Sequence, residues 1–105
     1  MIRGTTPTLL FNLPFLSTVI KSAEITIKYI DDFKKILITK TLDKGECELG
    51  EKSIGTRLTQ EETLQFPAPA SVQVQLRILT TDGLALATEP ETVSVKKLLA
   101  DGVIE

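Results

Sequence analysis

Apolar and polar residues alternate with a period of two along most of this chain, in short runs separated by turn-forming residues. Leu9, Phe11 and Leu13 alternate with Leu10 and Asn12, and Pro14 ends that run because it brings no backbone donor. Ala23, Ile25, Ile27 and Tyr29 alternate with Glu24, Thr26 and Lys28, the pattern of a strand with one buried and one wet face. Asp31-Asp32-Phe33-Lys34 follows as a turn, since Asp side chains hydrogen-bond nearby backbone. A four-residue loop there pairs Ile30 with Lys35, Tyr29 with Ile36 and Ile27 with Ile38. That register keeps one face apolar throughout. It has one misfit, Lys40, which it points inward, so a bulge or a lysine snorkelling at the rim is expected.

Cys47 and Leu49 suggest a short strand, Gly50-Glu51-Lys52 a turn, and Ile54, Thr56 and Leu58 another strand. Thr59-Gln60-Glu61-Glu62 matches a capping box, with Leu64 and Phe66 anchoring one short helical turn. Pro67 and Pro69 exclude a longer helix. Val72, Val74, Leu76, Ile78 and Thr80 give the longest clean alternation, which places that strand centrally. Thr81-Asp82-Gly83 then reads best as a three-residue hairpin loop with Gly83 left-handed, pairing Ile78 with Leu86 and Thr80 with Leu84. That choice turns both leucines inward. Pro90 interrupts the last strand and marks an edge or a change of sheet, and Val93 and Val95 resume the alternation. Lys96 to Gly102 is expected to form one helical turn with a glycine stop. Leu98, Leu99, Val103 and Ile104 are expected to close one end of the core, with a partner contact as the lesser role.

About seven strands at a spacing of roughly 8–12 residues point to an all-β antiparallel sandwich rather than a helical fold. The 105 residues suit a single domain, residues 1–105, and can bury roughly 65% of the surface of the unfolded chain. The segment 1–8 has no core pattern and is expected to be a flexible arm, frayed or docked on a neighbour. Residues 96–105 form the C-terminal tail.

Composition mainly removes chemistries. Histidine is absent and there is one cysteine, so Ser-His and Cys-His nucleophile pairs and Cys/His zinc clusters have no material within one chain. Cys47 reads as a small buried hydrophobe. Twelve basic and fourteen acidic residues are mixed along the chain, with no basic stripe for nucleic acid. No apolar run is long enough to span a membrane, and the first residues lack the apolar stretch of a signal peptide. Gly45, Gly50 and Gly55 are spaced by five but match neither nucleotide-binding fingerprint. Asp31, Asp32 and Asp82 would make an oxygen-ligand cluster only if their loops met at one end; turn formation explains them more simply. Glu61 and Glu62, adjacent on a helical turn, point apart and do not form an acid/base pair. Asp101 reads as a solvated tail charge. The expectation is a non-enzyme with no cofactor and no metal.

Candidate contact residues remain. Ile30 and Leu37 fall on the outer face of the first hairpin, and Phe33 sits at its tip, so the three make a small apolar patch suited to a partner. Isolated surface apolar residues are also ordinary. A ligand- or glycan-binding module is the alternative. The aromatics favour it little, because tryptophan is absent and Phe11, Tyr29 and Phe66 all fall on inner faces.

Three stretches also carry a family likeness. Met1-Ile2-Arg3-Gly4-Thr5-Thr6-Pro7-Thr8 with Phe11 and Leu13-Pro14-Phe15 resembles the start of small proteins encoded in phages and prophages of Firmicutes. Leu58-Thr59-Gln60-Glu61-Glu62-Thr63-Leu64 and Arg77-Ile78-Leu79-Thr80-Thr81-Asp82-Gly83 are similar to the same group. The resemblance implies a virion structural or assembly role, an immunoglobulin-like form of the sandwich, and partners that are other virion proteins or copies of itself. It places the protein in the virion or in the host cytoplasm during assembly. It carries over no catalytic residue.

Overall fold

The computed structural model describes residues 1–100 and 102–104. Among them, eight strands, one 3₁₀ turn and one short helix form two antiparallel sheets, so the chain is an all-β sandwich. The smaller sheet contains β1 (Thr8–Asn12), β4 (Glu48–Gly50) and β5 (Ser53–Arg57), in the order β1-β5-β4. The larger contains β2 (Ile20–Ile30), β3 (Lys35–Thr41), β6 (Ala70–Thr80) and β7 (Ala85–Ala87), in the order β3-β2-β6-β7, with β8 (Glu91–Val95) also paired to β6. The 3₁₀ turn, Ser17–Val19, leads into β2, and α1 (Gln60–Leu64) connects β5 to β6.

The inward positions meet between the sheets. Ile25, Ile27, Val72, Val74 and Leu76 come from the larger sheet, Ile54 and the adjoining Leu58 from the smaller one, and all belong to one buried cluster. Each such side chain contributes about 1.5–3 kcal/mol by leaving water. Phe66, just past α1, is fully buried and closes the core at that end.

Both hairpin registers read from the alternation are present. Ile30 pairs with Lys35, Tyr29 with Ile36 and Ile27 with Ile38. Ile78 pairs with Leu86, and the Thr80 backbone N–H donates to the Leu84 carbonyl at 2.9 Å across a loop whose Gly83 has φ of 88°. The inward turn of the two leucines does not follow: Leu84 and Leu86 are 58% and 43% exposed. A three-stranded sheet does not reach across the full width of the larger one, and β7 lies beyond its cover. The interrupted last strand is two strands. β7 and β8 share one edge of β6, and Thr88 bridges the gap between them, its N–H donating to the Leu76 carbonyl at 2.9 Å.

Lys40 stays in register opposite Ile25 and points inward, with no bulge. The irregularity lies instead in β2, between Ile20 and Ser22. Lys40 is 9% exposed, and its ammonium meets the Glu62 carboxylate at 2.7 Å. Glu62 is also the third residue of α1 and completes the capping box: its carboxylate accepts the Thr59 N–H at 2.8 Å, while the Thr59 hydroxyl accepts the Glu62 N–H at 3.1 Å. One carboxylate therefore caps the helix and neutralises the buried lysine. Burial pushes the Glu62 pKa up, but the Lys40 ammonium and the Thr59 N–H outweigh it and hold the group below its ordinary value.

The first residues are not a loose arm. Ile2 bridges Lys96 in parallel, the Lys96 N–H donating to the Met1 carbonyl at 2.8 Å and the Arg3 N–H to the Lys96 carbonyl at 3.1 Å. The Arg3 guanidinium donates to the carbonyls of Leu64 and Phe66 at the end of α1, at 2.8 and 2.7 Å. The fully buried Thr63 hydroxyl accepts the Gly4 N–H at 3.0 Å and donates to the Thr5 carbonyl at 2.8 Å. These groups had no apolar periodicity to announce them, because backbone and side-chain polar atoms hold them.

The same bridge corrects the C-terminal reading. Lys96 is held extended, and no helical turn follows it among the described residues. Leu98 is half-buried, whereas Leu99, Val103 and Ile104 are exposed and do not close the core. The Gln60 side chain holds the Ile104 backbone through two hydrogen bonds, at 2.8 and 3.1 Å. Asp101 lies outside the described residues.

Replacing Lys40 by Met should cost about 3 kcal/mol, because the Glu62 carboxylate is left partly buried without its cation. Adding Glu62→Gln, which retains a capping side chain, should recover most of the loss; urea denaturation measures both. Thr63→Val, nearly the same shape, should cost about 1–3 kcal/mol by orphaning the Gly4 N–H, and limited proteolysis should then cut within residues 1–7.

Candidate contact surface

The hairpin joining β2 to β3 presents the three apolar residues singled out from the sequence. Ile30, Phe33 and Leu37 are 60%, 96% and 55% exposed. Ile30 lies opposite Lys35 and Leu37 opposite Lys28, which makes Ile30 and Leu37 diagonal neighbours on one face, roughly 7–8 Å apart. Phe33 stands beyond them at the tip.

The tip is ordered by one carboxylate. Asp31 Oδ1 accepts the backbone N–H groups of Phe33 and Lys34, each at 2.7 Å, and the Tyr29 hydroxyl donates to Oδ2. The Asp31 N–H closes the loop on the Lys34 carbonyl at 2.9 Å. The hydrogen bond from Tyr29, then those from Phe33 and Lys34, hold the Asp31 pKa below its ordinary value, and the same bond raises that of Tyr29. Lys34 reaches back toward the Gln65 carbonyl at 3.4 Å. A fully exposed phenylalanine thus sits on a loop whose backbone is pinned.

The three acids weighed as an oxygen-ligand cluster do not meet. Asp31 and Asp32 occupy this tip, near the start of β6, whereas Asp82 sits in the β6–β7 loop at the opposite end of the same sheet. There Asp82 accepts a hydrogen bond from the Thr80 hydroxyl. Among the described residues, no three His, Cys, Asp or Glu side chains stand close enough together to hold a metal ion. Cys47 is buried, and burial, then the nearby Glu46 charge, push its thiol pKa up, with Lys40 opposing them. No helix of the described residues is long and apolar enough to cross a membrane.

Two further surface features escaped the reading of the sequence. An apolar groove of about 190 Å³ opens between Leu13, Pro14 and Phe15 and the exposed flank of β7. A larger hollow, about 590 Å³, runs along the smaller sheet, its lining taking in outward residues of that sheet and the buried Thr56 and Lys40. Its middle row runs Leu10, Gly55, Glu48, with Arg57 and Thr8 in the next row. Gly45, Gly50 and Gly55, the evenly spaced glycines, all line it. A Cβ on Gly55 would come within 3.1 Å of the Leu9 carbonyl oxygen and 3.2 Å of Leu10 Cδ1, so the bare backbone there allows the two strands and Leu10 to pack. The available signal was Leu10, a large apolar residue at an outward strand position, 64% exposed.

No family model, no curated protein and no solved structure matches the chain. The fold and surface define an antiparallel β-sandwich that displays an apolar residue on a hydrogen-bonded hairpin tip.

Because the folded pKa of Asp31 is depressed, the order of the tip is complete above the ordinary carboxylate range and is lost as pH falls through the depressed value. The protection factors of the Phe33 and Lys34 amides, measured against the intrinsic exchange rate at each pH, should therefore be high at neutral pH and fall in acid ahead of those of the sheet amides. Asp31→Asn should lower both protection factors at neutral pH while leaving the sheet protected.

Proposed function

We propose that this chain is a non-catalytic contact module of phage or prophage particles, an immunoglobulin-like sandwich that binds other virion proteins or copies of itself. The observation that carries the reading is Phe33, almost fully exposed on a loop held by four hydrogen bonds to Asp31 and its backbone. An aromatic held in place loses little entropy when it is buried by a partner, which is what makes such residues anchors. Ile30 and Leu37 extend the apolar area along the outer face.

Support for the immunoglobulin-like assignment comes from connectivity. The order β1-β5-β4 corresponds to strands B-E-D, and β3-β2-β6-β7 to C′-C-F-G, with β8 continuing G. Residues 1–3 run beside the end of β8 as a leading edge strand. The Cys…Trp…Cys core of antibody domains is missing, since the chain has one cysteine and no tryptophan. The sequence likeness to phage-encoded proteins supplies the biological setting. The non-catalytic assignment is supported by how the perturbed carboxylates are used: Asp31 orders a turn, and Glu62 caps a helix and pairs with Lys40.

Particles released from an induced lysogen should contain the chain. Phe33→Ser should leave its stability within about 0.5 kcal/mol, as expected for a fully exposed position. It should lower the amount incorporated per particle about tenfold, the loss expected for an aromatic anchor. Urea denaturation of the isolated chain checks the stability, and quantitative mass spectrometry of purified particles checks presence and incorporation. Particles that lack the wild-type chain, and that assemble unchanged when its gene is deleted, would overturn the proposal.

A further inference from the structure

We infer that the free edge of β7 pairs, antiparallel and about a two-fold axis, with β7 of a second copy of this chain. The inference names one self-contact within the proposed function and uses a surface away from Phe33, so either can fail without the other.

The backbone decides which groups of β7 face outward. The Thr80 N–H donates to the Leu84 carbonyl and the Thr88 N–H to the Leu76 carbonyl, each at 2.9 Å. In an antiparallel pair, residues bonded to one neighbour alternate with residues whose N–H and C=O point the other way. Leu84, Leu86 and Thr88 are therefore turned toward β6, and Ala85 and Ala87 offer their backbone groups to the open side. No strand of the described residues lies there, because β7 ends the order β3-β2-β6-β7. Residues 1–3 cover this side of the larger sheet only beside Ser94 and Lys96.

Other edges of the sandwich carry the usual guards against pairing. β3 has Lys35 and the inward Lys40, and β4 has Glu48. β1 is bracketed by Pro7 and Pro14, and its Leu9 and Phe11 already pack against the core. The run Leu84 to Thr88 has no charge and no proline. Leu84 and Leu86 stand opposite Thr80 and Ile78, on the face that carries the core elsewhere in the sheet, and both are exposed.

This strand is its own complement. With Ala85 opposite Ala87 of the second copy, and Ala87 opposite its Ala85, each pair exchanges both N–H···O bonds. The two-fold axis then passes between the two Leu86 side chains, which meet as a non-hydrogen-bonded pair with Cβ atoms roughly 4.5–5.5 Å apart. Leu84 of the second copy falls opposite Thr88. Thr88 lines the apolar groove of about 190 Å³ beside Leu13, Pro14 and Phe15. The register that satisfies the backbone thus brings a leucine to that groove and covers Leu84 and Leu86 together. A slip of one residue would turn the backbone groups away. Slips of two would set Ala85 or Ala87 opposite itself and draw Gly83, at φ 88° in its turn, or the charged Glu89 into the ladder. Asp82 and Glu89 flank the paired run, so acids of the two copies approach at each end and added salt should strengthen the contact.

Sedimentation velocity over a range of concentrations and oxidative cross-linking test the pairing. The wild-type chain should form a dimer, and Phe33→Ser should leave that dimer unchanged. Ala87→Pro removes an outward N–H and keeps the bonds that Leu86 and Thr88 make to β6. It should weaken association about tenfold or more, with thermal melting to verify the fold. In a Cys47→Ser background, Leu86→Cys should form a disulfide-linked dimer under mild oxidation. Leu84→Cys should not, since its two copies lie roughly 14 Å apart along the paired strands. Wild type that stays monomeric at every concentration overturns the pairing and leaves the edge to an extended segment of another protein. Cross-linking of Leu84→Cys as readily as Leu86→Cys overturns the register. A dimer that survives Ala87→Pro and is lost with Phe33→Ser overturns the edge and leaves the hairpin tip as the contact.

Discussion

A lysine turned into a sandwich needs an anion, and much of this molecule is arranged around the one that Lys40 finds. Strict alternation along β3 leaves the side chain no outward option once Ile36 and Ile38 face in. Its ammonium reaches Glu62 at 2.7 Å, with the two side chains 11% and 19% exposed. An unpaired charge in that place would oppose closure of the sheets. The pair therefore ties the edge of the larger sheet to the corner that follows the smaller one. A charge pointing inward from an edge strand also disfavours pairing of that edge with a foreign strand, since a one-residue slip would misplace it.

From Glu62 the constraint spreads through short polar links. The capping box fixes where α1 begins, and this sets Thr63 on the buried side of the turn. Thr63 then binds the backbone of Gly4 and Thr5, and the end of α1 offers its carbonyls to Arg3. The first residues are drawn alongside Lys96 and lengthen the larger sheet at β8. Among the described residues, no buried side-chain polar atom lacks a hydrogen-bond partner. A corner built from polar atoms in the core is stable only in that condition.

The surfaces proposed for binding arise where the two sheets are unequal. The β2–β3 tip extends past the core, so none of the described residues covers Phe33, and Asp31 supplies the order that packing would otherwise provide. The smaller sheet lacks a side chain at Gly55, and Leu10 of the neighbouring strand packs over the backbone there while remaining largely exposed itself.

Local chemistry alone determined the strands, both hairpin registers, the capping box and the exposed tip, because a period of two and turn residues act over a few neighbours. The inward Lys40 was legible from the alternation, and Ile30, Phe33 and Leu37 were legible as outward positions. The partner of Lys40 was not: Glu62 lies twenty-two residues away in a different element, and only packing brings them together. The docking of residues 1–7 was equally hidden, since hydrogen bonds to Thr63, Leu64 and Phe66 leave no hydrophobic pattern. Leu84 and Leu86 had the right register and the wrong environment, because burial depends on how far the opposing sheet extends. The exposure of Leu10, packed over Gly55, was decided the same way. Alternation assigns a residue to a face, and only the tertiary arrangement decides whether anything covers that face.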